Sequence, residues 1–126
     1  MAPINLSKLD AAIKTLEKDY THHPSELERD GLIQRFEFTM ELSWKLSKKI
    51  LAENGIDTDI PKNVFRELAK IGWIDNPEEW IEFINKRNRA SHIYNQEMAQ
   101  DVFSGIENFI KQSRKLYLIL KQKSND

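Results

Sequence analysis

The segment Lys86–Gln96, KRNRASHIYNQ, gathers side chains that are suited to chemistry on a phosphate. Arg87, His92 and Tyr94 follow the pattern R-x-x-x-x-H-x-Y, and Asn88 stands next to the arginine. A neutral imidazole can take the proton of an RNA 2′-hydroxyl, while a guanidinium can bind the phosphate through two donors and stabilise charge in the transition state. The residue types are therefore compatible with phosphodiester cleavage that needs no metal.

The spacing of these residues has a geometric consequence. If the preceding helix continued through the motif, Asn88 and His92 would lie one turn apart on one face. Tyr94 would return to the side of the helix that carries Arg87. The four polar groups would then meet in one small patch.

The neighbouring cations support two different explanations. Lys86 and Arg89 would add local attraction for an RNA backbone, and Asn88 can orient either the imidazole or the phosphate. However, cations also favour the C-terminus of any helix, and a histidine there can simply cap carbonyl groups. Spacing alone leaves both explanations open.

The elements that position this segment are predicted to be helices. No stretch alternates apolar and polar residues as a half-buried strand would, and the glycines and prolines fall mostly where helices would begin or end. We predict five helices: Leu6 to Tyr20, Ser25 to Asn54, Pro61 to Gly72, Asn76 to the motif, and about Gln96 to Lys121. The fold class is therefore all-α, an antiparallel bundle of about five helices.

Several local signals support these boundaries. Ser25 and Glu28 have the spacing of a capping box, and Pro61 suits the first turn of a helix. Gly55 and Gly72 supply C-terminal stops. Gly105 is expected to allow a close neighbour on the fifth helix.

Length and composition limit the remaining possibilities. The chain has 126 residues and no cysteine, so we expect one domain, residues 1–126, with a frayed tail at about residues 122–126. We expect no disulfide, no membrane span, no signal peptide and a cytoplasmic location. A net charge of −1 and a pI near 6.3 argue against avid nonspecific binding to nucleic acid, so a polyanion site must be local.

RNRASHIY resembles the signature of HEPN domains. RDGLIQRFEFTMELSWKLSKKIL, Arg29–Leu51, resembles the long second helix of one branch of them, the nucleotidyltransferase substrate-binding proteins, which are related to HepT-type toxins. The similarity includes FRELAKIGWI and WIEFINKRN and so covers nearly the whole chain. The resemblance implies a helical homodimer with its two motif regions near each other in a cleft. It also implies a small nucleotidyltransferase as partner.

The resemblance also implies roles for individual residues. In HepT-like relatives the motif's arginine and histidine carry metal-independent ribonuclease activity, and the partner blocks it by transferring AMP from ATP to the motif tyrosine. For this chain, that implies catalysis by Arg87 and His92, support from Asn88, and modification of Tyr94. Ser91, at a flanking position where small or polar residues are usual, joins the supporting set.

Three functional hypotheses follow. The first is a ribonuclease toxin subunit that acts as a homodimer and is neutralised by its partner. The second is a noncatalytic subunit that binds a nucleotide or another substrate for that partner. The third is a scaffold bundle. We expect no cofactor, no metal site, and neither DNA nor a membrane as partner.

Other polar residues receive structural interpretations. His22 and His23 lack a further ligand at helical spacing and are expected to lie in an exposed turn. Glu37 and Glu41 lie one turn apart without the Glu-x-x-His elements of a di-iron bundle. We expect them to form ion pairs within the bundle, with Arg35, Lys45 or the motif itself.

The second helix also carries a basic stretch and part of the aromatic content. Lys45, Lys48 and Lys49 are interpreted as a solvated face, with extension of an RNA track as the alternative. The aromatic side chains are more numerous than we expect one small bundle to cover, which favours a dimer whose interface includes part of the second or fourth helix. The residues concerned are Phe36, Phe38, Trp44, Trp73 and Trp80.

Overall fold

The computed structural model describes residues 4–124, and these form six helices and no strand. The helices are α1 (Ser7–Asp19), α2 (Glu26–Glu53), α3 (Pro61–Lys70), α4 (Pro77–Ala90), α5 (Gln96–Phe103) and α6 (Ile106–Ser124). The predicted all-helical bundle is confirmed. None of the helices in this range is both long enough and apolar enough to cross a membrane.

The local signals act at the helix ends as predicted. The Ser25 side chain accepts a hydrogen bond from the backbone N–H of Glu28, whose carboxylate accepts one from the Ser25 N–H, so the capping box is complete. Pro61 begins α3. Gly55 and Gly72 adopt φ values of 80° and 79°, a left-handed conformation that ends α2 and α3 and that other residues rarely adopt.

The predicted fifth helix is two helices, separated by a turn at Ser104 and Gly105. The Ser104 hydroxyl donates to the Asp101 carbonyl at 2.6 Å, and such a local bond competes with the helical backbone pattern. At the other end, α6 continues through residues 122–124, so these residues are helical and not the frayed tail that was predicted for them. Residues 1–3 and 125–126 lie outside the described part of the chain, and the single-domain assignment over residues 1–126 stays a prediction.

α2 is the centre of the bundle, because each of the other five described helices contacts it. An aromatic cluster joins it to α3, α4 and α6. The Phe65 and Trp80 rings stack at 4.5 Å between centroids, and Phe36 meets Phe109 edge-on at 4.8 Å. This packing fixes α4 against α2 and so places the C-terminal end of α4, where the motif lies.

Candidate functional site

The motif begins in the last turn of α4 and continues beyond it. Arg87 and Arg89 lie in that turn, α4 ends at Ala90, and Ser91 is its C-cap. The backbone N–H of His92 donates to the Arg89 carbonyl at 2.9 Å, which closes the turn after the helix. The predicted position of the motif at the end of a helix is therefore confirmed. The four motif side chains were predicted to share one patch if the helix continued through the motif. The helix ends before His92, so that condition is not met.

The residues after the turn connect α4 to α5. Tyr94 lies in this irregular connection, and the Asn95 side chain caps α5 by accepting from the Met98 backbone N–H at 2.8 Å. Gln96 donates to Glu26 and accepts from Arg29. These contacts tie the start of α5 to the start of α2 and so anchor the far end of the motif connection.

Arg87 is held by a carboxylate on α2. Its Nη2 donates to Glu41 Oε2 at 3.2 Å, the same oxygen accepts from Trp44 Nε1 at 3.1 Å, and Lys45 Nζ lies 3.0 Å from Glu41 Oε1. Partial burial raises the pKa of the Glu41 carboxyl, but hydrogen bonds from Lys45 and Trp44 and the charges of Lys45 and Arg87 outweigh it and hold the pKa below its ordinary range. The expected pairing of Glu41 with Lys45 and with the motif is confirmed.

Arg87 and Asn88 line a cleft of about 210 Å³, together with Glu41, Trp44 and Pro61. The Arg87 side chain is 36% exposed, and its Nε is buried with no hydrogen-bond partner among the described residues. Buried donors without partners are uncommon in folded proteins. The guanidinium therefore retains donor capacity beyond its bond to Glu41.

The sequence predicts that Lys86 attracts an RNA backbone, but in the structure this lysine is bound within the chain. Its side chain is 12% exposed, and its ammonium donates to the Asp101 carbonyl at 2.8 Å and contacts Asp101 Oδ1 at 3.4 Å and Ser104 Oγ at 3.5 Å. The aliphatic part crosses Gly105, where an added Cβ would come within 2.8 Å of Lys86 Cδ. The close neighbour expected at Gly105 is therefore found, and Lys86 holds the end of α5 against α4.

Arg89 is also engaged within the chain. It contacts Glu82 Oε1 at 3.1 Å through Nη2 and Asp101 Oδ2 at 3.2 Å through Nε. Two carboxylates thus oppose one guanidinium, and Arg89 contributes little free positive charge. The RNA-binding role predicted for Arg89 has no support in this arrangement.

His92 and Tyr94 lie at the surface. The His92 side chain is exposed, and its imidazole makes no hydrogen bond with residues 4–124. Tyr94 is 80% exposed. Within the described residues no hydrogen bond joins either residue to Arg87, so the chain brings Arg87 and Asn88 into a cleft and leaves the other two motif residues outside it. Ser91 is exposed beside them.

The other polar candidates are structural. His22 and His23 are exposed in a bend, as expected, and His22 pairs with Glu107 at 2.5 Å. The part of the chain that the structure describes holds no group of three or more potential metal ligands. Glu37 has no ion-pair partner within residues 4–124, so the pairing predicted for it is not found there, and Arg35 pairs instead with Asp19 at 3.8 Å.

Sequence reasoning missed two contributors to this site. The spacing of Trp44 predicts a packing residue, yet its indole fixes Glu41 and lines the cleft. Gln96 joins two helix starts that are distant in sequence, and no local pattern indicates such a contact. The one sequence signal for the carboxylate that holds Arg87 was the position of Glu41, which was expected to pair with Lys45 or with the motif.

Comparison with known proteins gives consistent results. A family model described as "Nucleotidyltransferase substrate binding protein like" matches residues 4–122. A curated Haemophilus influenzae protein named "Probable ribonuclease HepT" is 33% identical over 138 aligned positions, which cover 96% of this chain and 94% of that protein.

Two solved structures share the fold. A crystal structure of a Thermus thermophilus protein has a TM-score of 0.85 at 28% identity and covers 89% of this chain and 98% of its own. A Haemophilus influenzae protein, described as revealing the fold of a substrate binding domain of a nucleotidyltransferase, has a TM-score of 0.80 at 33% identity. That match covers 93% of this chain and 99% of the other.

Proposed function

This chain belongs to the nucleotidyltransferase substrate binding protein-like family, and we propose that it is the HEPN-type ribonuclease subunit of a toxin–antitoxin pair. The relative named as a probable HepT ribonuclease supports this choice within the family. The observation that carries it is the state of Arg87. This guanidinium is oriented by Glu41 in a cleft, its side chain is 36% exposed, and it bonds to residues 4–124 through Nη2 alone, so its other donors have no protein partner there.

The proposed reaction uses the motif side chains as acid–base and electrostatic groups. His92 takes the proton of an RNA 2′-hydroxyl, whose oxygen attacks the adjacent phosphorus while the bond to the 5′-oxygen breaks. The departing 5′-oxygen takes up a proton from water, so the products are a 2′,3′-cyclic phosphate and a 5′-hydroxyl, and the protonated His92 then releases its proton to the solvent. Arg87 stabilises the negative charge of the transition state, and Asn88 orients the phosphate in the same cleft. No step requires a metal ion.

We include a homodimer in the proposal, because Arg87 and His92 are not joined within one described protomer. Phe36 and Trp80 are buried in the chain, but Phe38 remains 57% exposed and Trp44 and Trp73 are half-buried. An exposed aromatic side chain on α2 favours an interface on that helix. Sedimentation that shows only monomer at micromolar concentration would contradict the dimer.

The partner proposed for this chain is a small nucleotidyltransferase that modifies Tyr94. The phenolic oxygen attacks the α-phosphorus of ATP, pyrophosphate leaves, and AMP stays attached. A side chain that is 80% exposed is accessible to such an enzyme. The added phosphate and purine bring negative charge and bulk beside the motif, which would oppose RNA binding.

One observation favours a second candidate function. Glu41 already pairs with Arg87, and in this alternative the sole role of the pair is to hold α4 against α2. The chain would then be a noncatalytic subunit that binds a nucleotide or another substrate for the nucleotidyltransferase. The family description and the wording used for the Haemophilus structure agree with this alternative.

A ribonuclease assay separates the two candidates. We expect the purified chain, without its partner and in excess EDTA, to cut single-stranded RNA. His92→Ala should lower the rate by about 10²–10⁴-fold without loss of stability, because the side chain is exposed. His23→Ala, at another exposed histidine, should leave the rate unchanged. Intact RNA after incubation with folded wild-type protein would reject the ribonuclease and favour the binding subunit.

A further inference from the structure

Two clefts of this protein adjoin at the side chain of Trp44. One is the cleft that holds Arg87, and the other is a groove of about 580 Å³ between Asn5 and Lys8 on one side and α2 on the other. Trp44 lines both. Its indole N–H is bound to Glu41, so the ring has a fixed orientation at the junction. The proposed catalytic arginine therefore lies at one end of a longer surface path.

The groove, here called the lysine groove, is lined by Lys8, Lys45, Lys48 and Lys49. Among residues 4–124, the two clefts are lined by five cationic side chains, the four lysines and Arg87, and by one carboxylate, Glu41, although the whole chain has a net charge of −1. The path is thus a local basic surface on a nearly neutral protein.

The four lysines differ in how far they are neutralised. Lys45 pairs with Glu41, and Lys48 pairs with Asp59 at 2.6 Å. Lys8 and Lys49 have no carboxylate partner among residues 4–124. These two ammonium groups are the ones available to an anion from outside.

We propose that the lysine groove and Trp44 form the binding track for single-stranded RNA. The scissile phosphate lies at Arg87, a base stacks on Trp44, and phosphates farther along contact Lys8 and Lys49. This inference rests on the proposed ribonuclease function and specifies how its substrate is held. Unpaired RNA fits this combination because its bases are free to stack on an aromatic ring while its backbone follows a line of cations.

A base-paired RNA fits less well, since its bases are already stacked inside the helix. An acidic protein segment would satisfy the lysines but would gain nothing specific from an indole at the junction. A second copy of this chain in the groove would bury Leu42 and need no anion. These other occupants give different results in the test below.

The test measures binding without cleavage. All proteins carry His92→Ala, and a fluorescein-labelled oligouridylate of about 12 nucleotides is titrated while anisotropy is recorded at several salt concentrations. The test protein, here called the groove variant, carries both Lys8→Ala and Lys49→Ala. Its matched control is Lys111→Ala with Lys121→Ala, which removes the same charge from two exposed lysines that line neither cleft.

We expect the groove variant to bind roughly ten- to thirtyfold more weakly at about 0.1 M salt, with a log–log salt slope smaller by about 1.4, because two phosphate contacts are lost. The control should stay within about twofold. RNA should also quench tryptophan fluorescence, and Trp44→Phe should remove that quenching while Trp73→Phe should not. Equal weakening in variant and control, or no weakening in either, would overturn the track.

Two further outcomes identify a different occupant. If polyglutamate of matched charge binds as tightly as the oligouridylate, an acidic protein segment replaces RNA and the inference is wrong. The inference is also wrong if the groove variant changes sedimentation but not RNA affinity, because the groove is then an interface between copies.

The track and the ribonuclease can also fail separately. If the wild-type chain cuts RNA and the groove variant binds RNA normally, the track is rejected and the ribonuclease is not. If RNA binding depends on the groove lysines but the wild-type chain cuts no RNA, the ribonuclease is rejected and the track is not.

Discussion

Gly105→Ala tests whether Lys86 is a structural residue of this fold. Gly105 lies in the turn between α5 and α6, and it adopts no left-handed φ, so an alanine there meets no backbone strain. The obstacle is the side chain of Lys86, because a new Cβ would lie 2.8 Å from its Cδ and 3.0 Å from its Cε. Real Cβ contacts are longer, so the lysine must move.

The cost of that movement follows from what the ammonium binds. A hydrogen bond from a charged donor contributes about 1.5–3 kcal/mol, and the bond from Lys86 to the Asp101 carbonyl at 2.8 Å would be lost or weakened. Alanine restricts the unfolded chain more than glycine does, and this effect raises the free energy of unfolding by about 0.4–1 kcal/mol. We therefore expect Gly105→Ala to lower the free energy of unfolding by about 1–2 kcal/mol.

Urea unfolding of four proteins measures this effect: wild type, Gly105→Ala, Lys86→Ala and the double variant. With Lys86 truncated, alanine at position 105 has space, so its cost should fall to within about 0.5 kcal/mol of zero and the coupling should be about 1–2 kcal/mol. Gly31→Ala is the control. An added Cβ there meets nothing within 4 Å, and alanine should stabilise the α2 interior by about 0.5–1 kcal/mol.

Two results would refute the reasoning. Gly105→Ala that stabilises the fold as Gly31→Ala does would show that Lys86 moves freely. An equal loss with and without Lys86 would show that the turn itself, and not the lysine, rejects the methyl group. Only the first result would make Lys86 a candidate RNA contact again, because the second leaves its bond to Asp101 in place.

The remaining predictions concern Glu41 and Tyr94. Glu41→Gln should lower the free energy of unfolding by about 1 kcal/mol at neutral pH. Because the folded-state pKa of Glu41 is depressed, this difference should be lost as the pH falls below about 4, and a constant difference between pH 7 and acid in urea unfolding would contradict it. Tyr94→Phe should unfold like wild type, since the side chain is 80% exposed. After incubation with the nucleotidyltransferase and ATP, intact-mass spectrometry should show AMP on wild type and on Tyr117→Phe but not on Tyr94→Phe, and modified Tyr94→Phe protein would reject that site.

The helices could be predicted because their boundaries depend on residues close in sequence. The Ser25–Glu28 capping box and the stops at Gly55 and Gly72 each act within a few residues of the helix end that they define. The pair of Glu41 and Lys45 is likewise a local i, i+4 contact. Local chemistry therefore determines most of the element order.

The turn at Ser104 and Gly105 and the true role of Lys86 could not be predicted in the same way. Lys86 contacts Asp101 across 15 positions, and the sequence around either residue does not show that they meet. The apolar spacing continues through the turn, so it suggests one continuous helix. The local Ser104–Asp101 bond marks the turn, but the contact of Lys86 with Asp101 joins α4 to α5 and exists only after the helices have packed.

The three cations of KRNR illustrate how this affects function. In the sequence they form one basic cluster, but Lys86 and Arg89 share Asp101, and Arg87 pairs with Glu41. Each charge is therefore opposed by a carboxylate before any ligand arrives. A phosphate at the motif has to compete with Glu41 or use the donors of Arg87 that Glu41 leaves free.

The same neutralisation explains why binding strength should depend on a different surface from catalysis. Because the motif cations are paired, long-range attraction for RNA must come from unpaired charges, and Lys8 and Lys49 are such charges beside the cleft. Loss of Arg87 or His92 should then abolish cleavage with little change in affinity, whereas loss of Lys8 and Lys49 should weaken affinity and leave the rate at saturating RNA nearly unchanged. If Arg87→Ala alone removed most of the affinity, the motif itself would hold the RNA and this separation would be wrong.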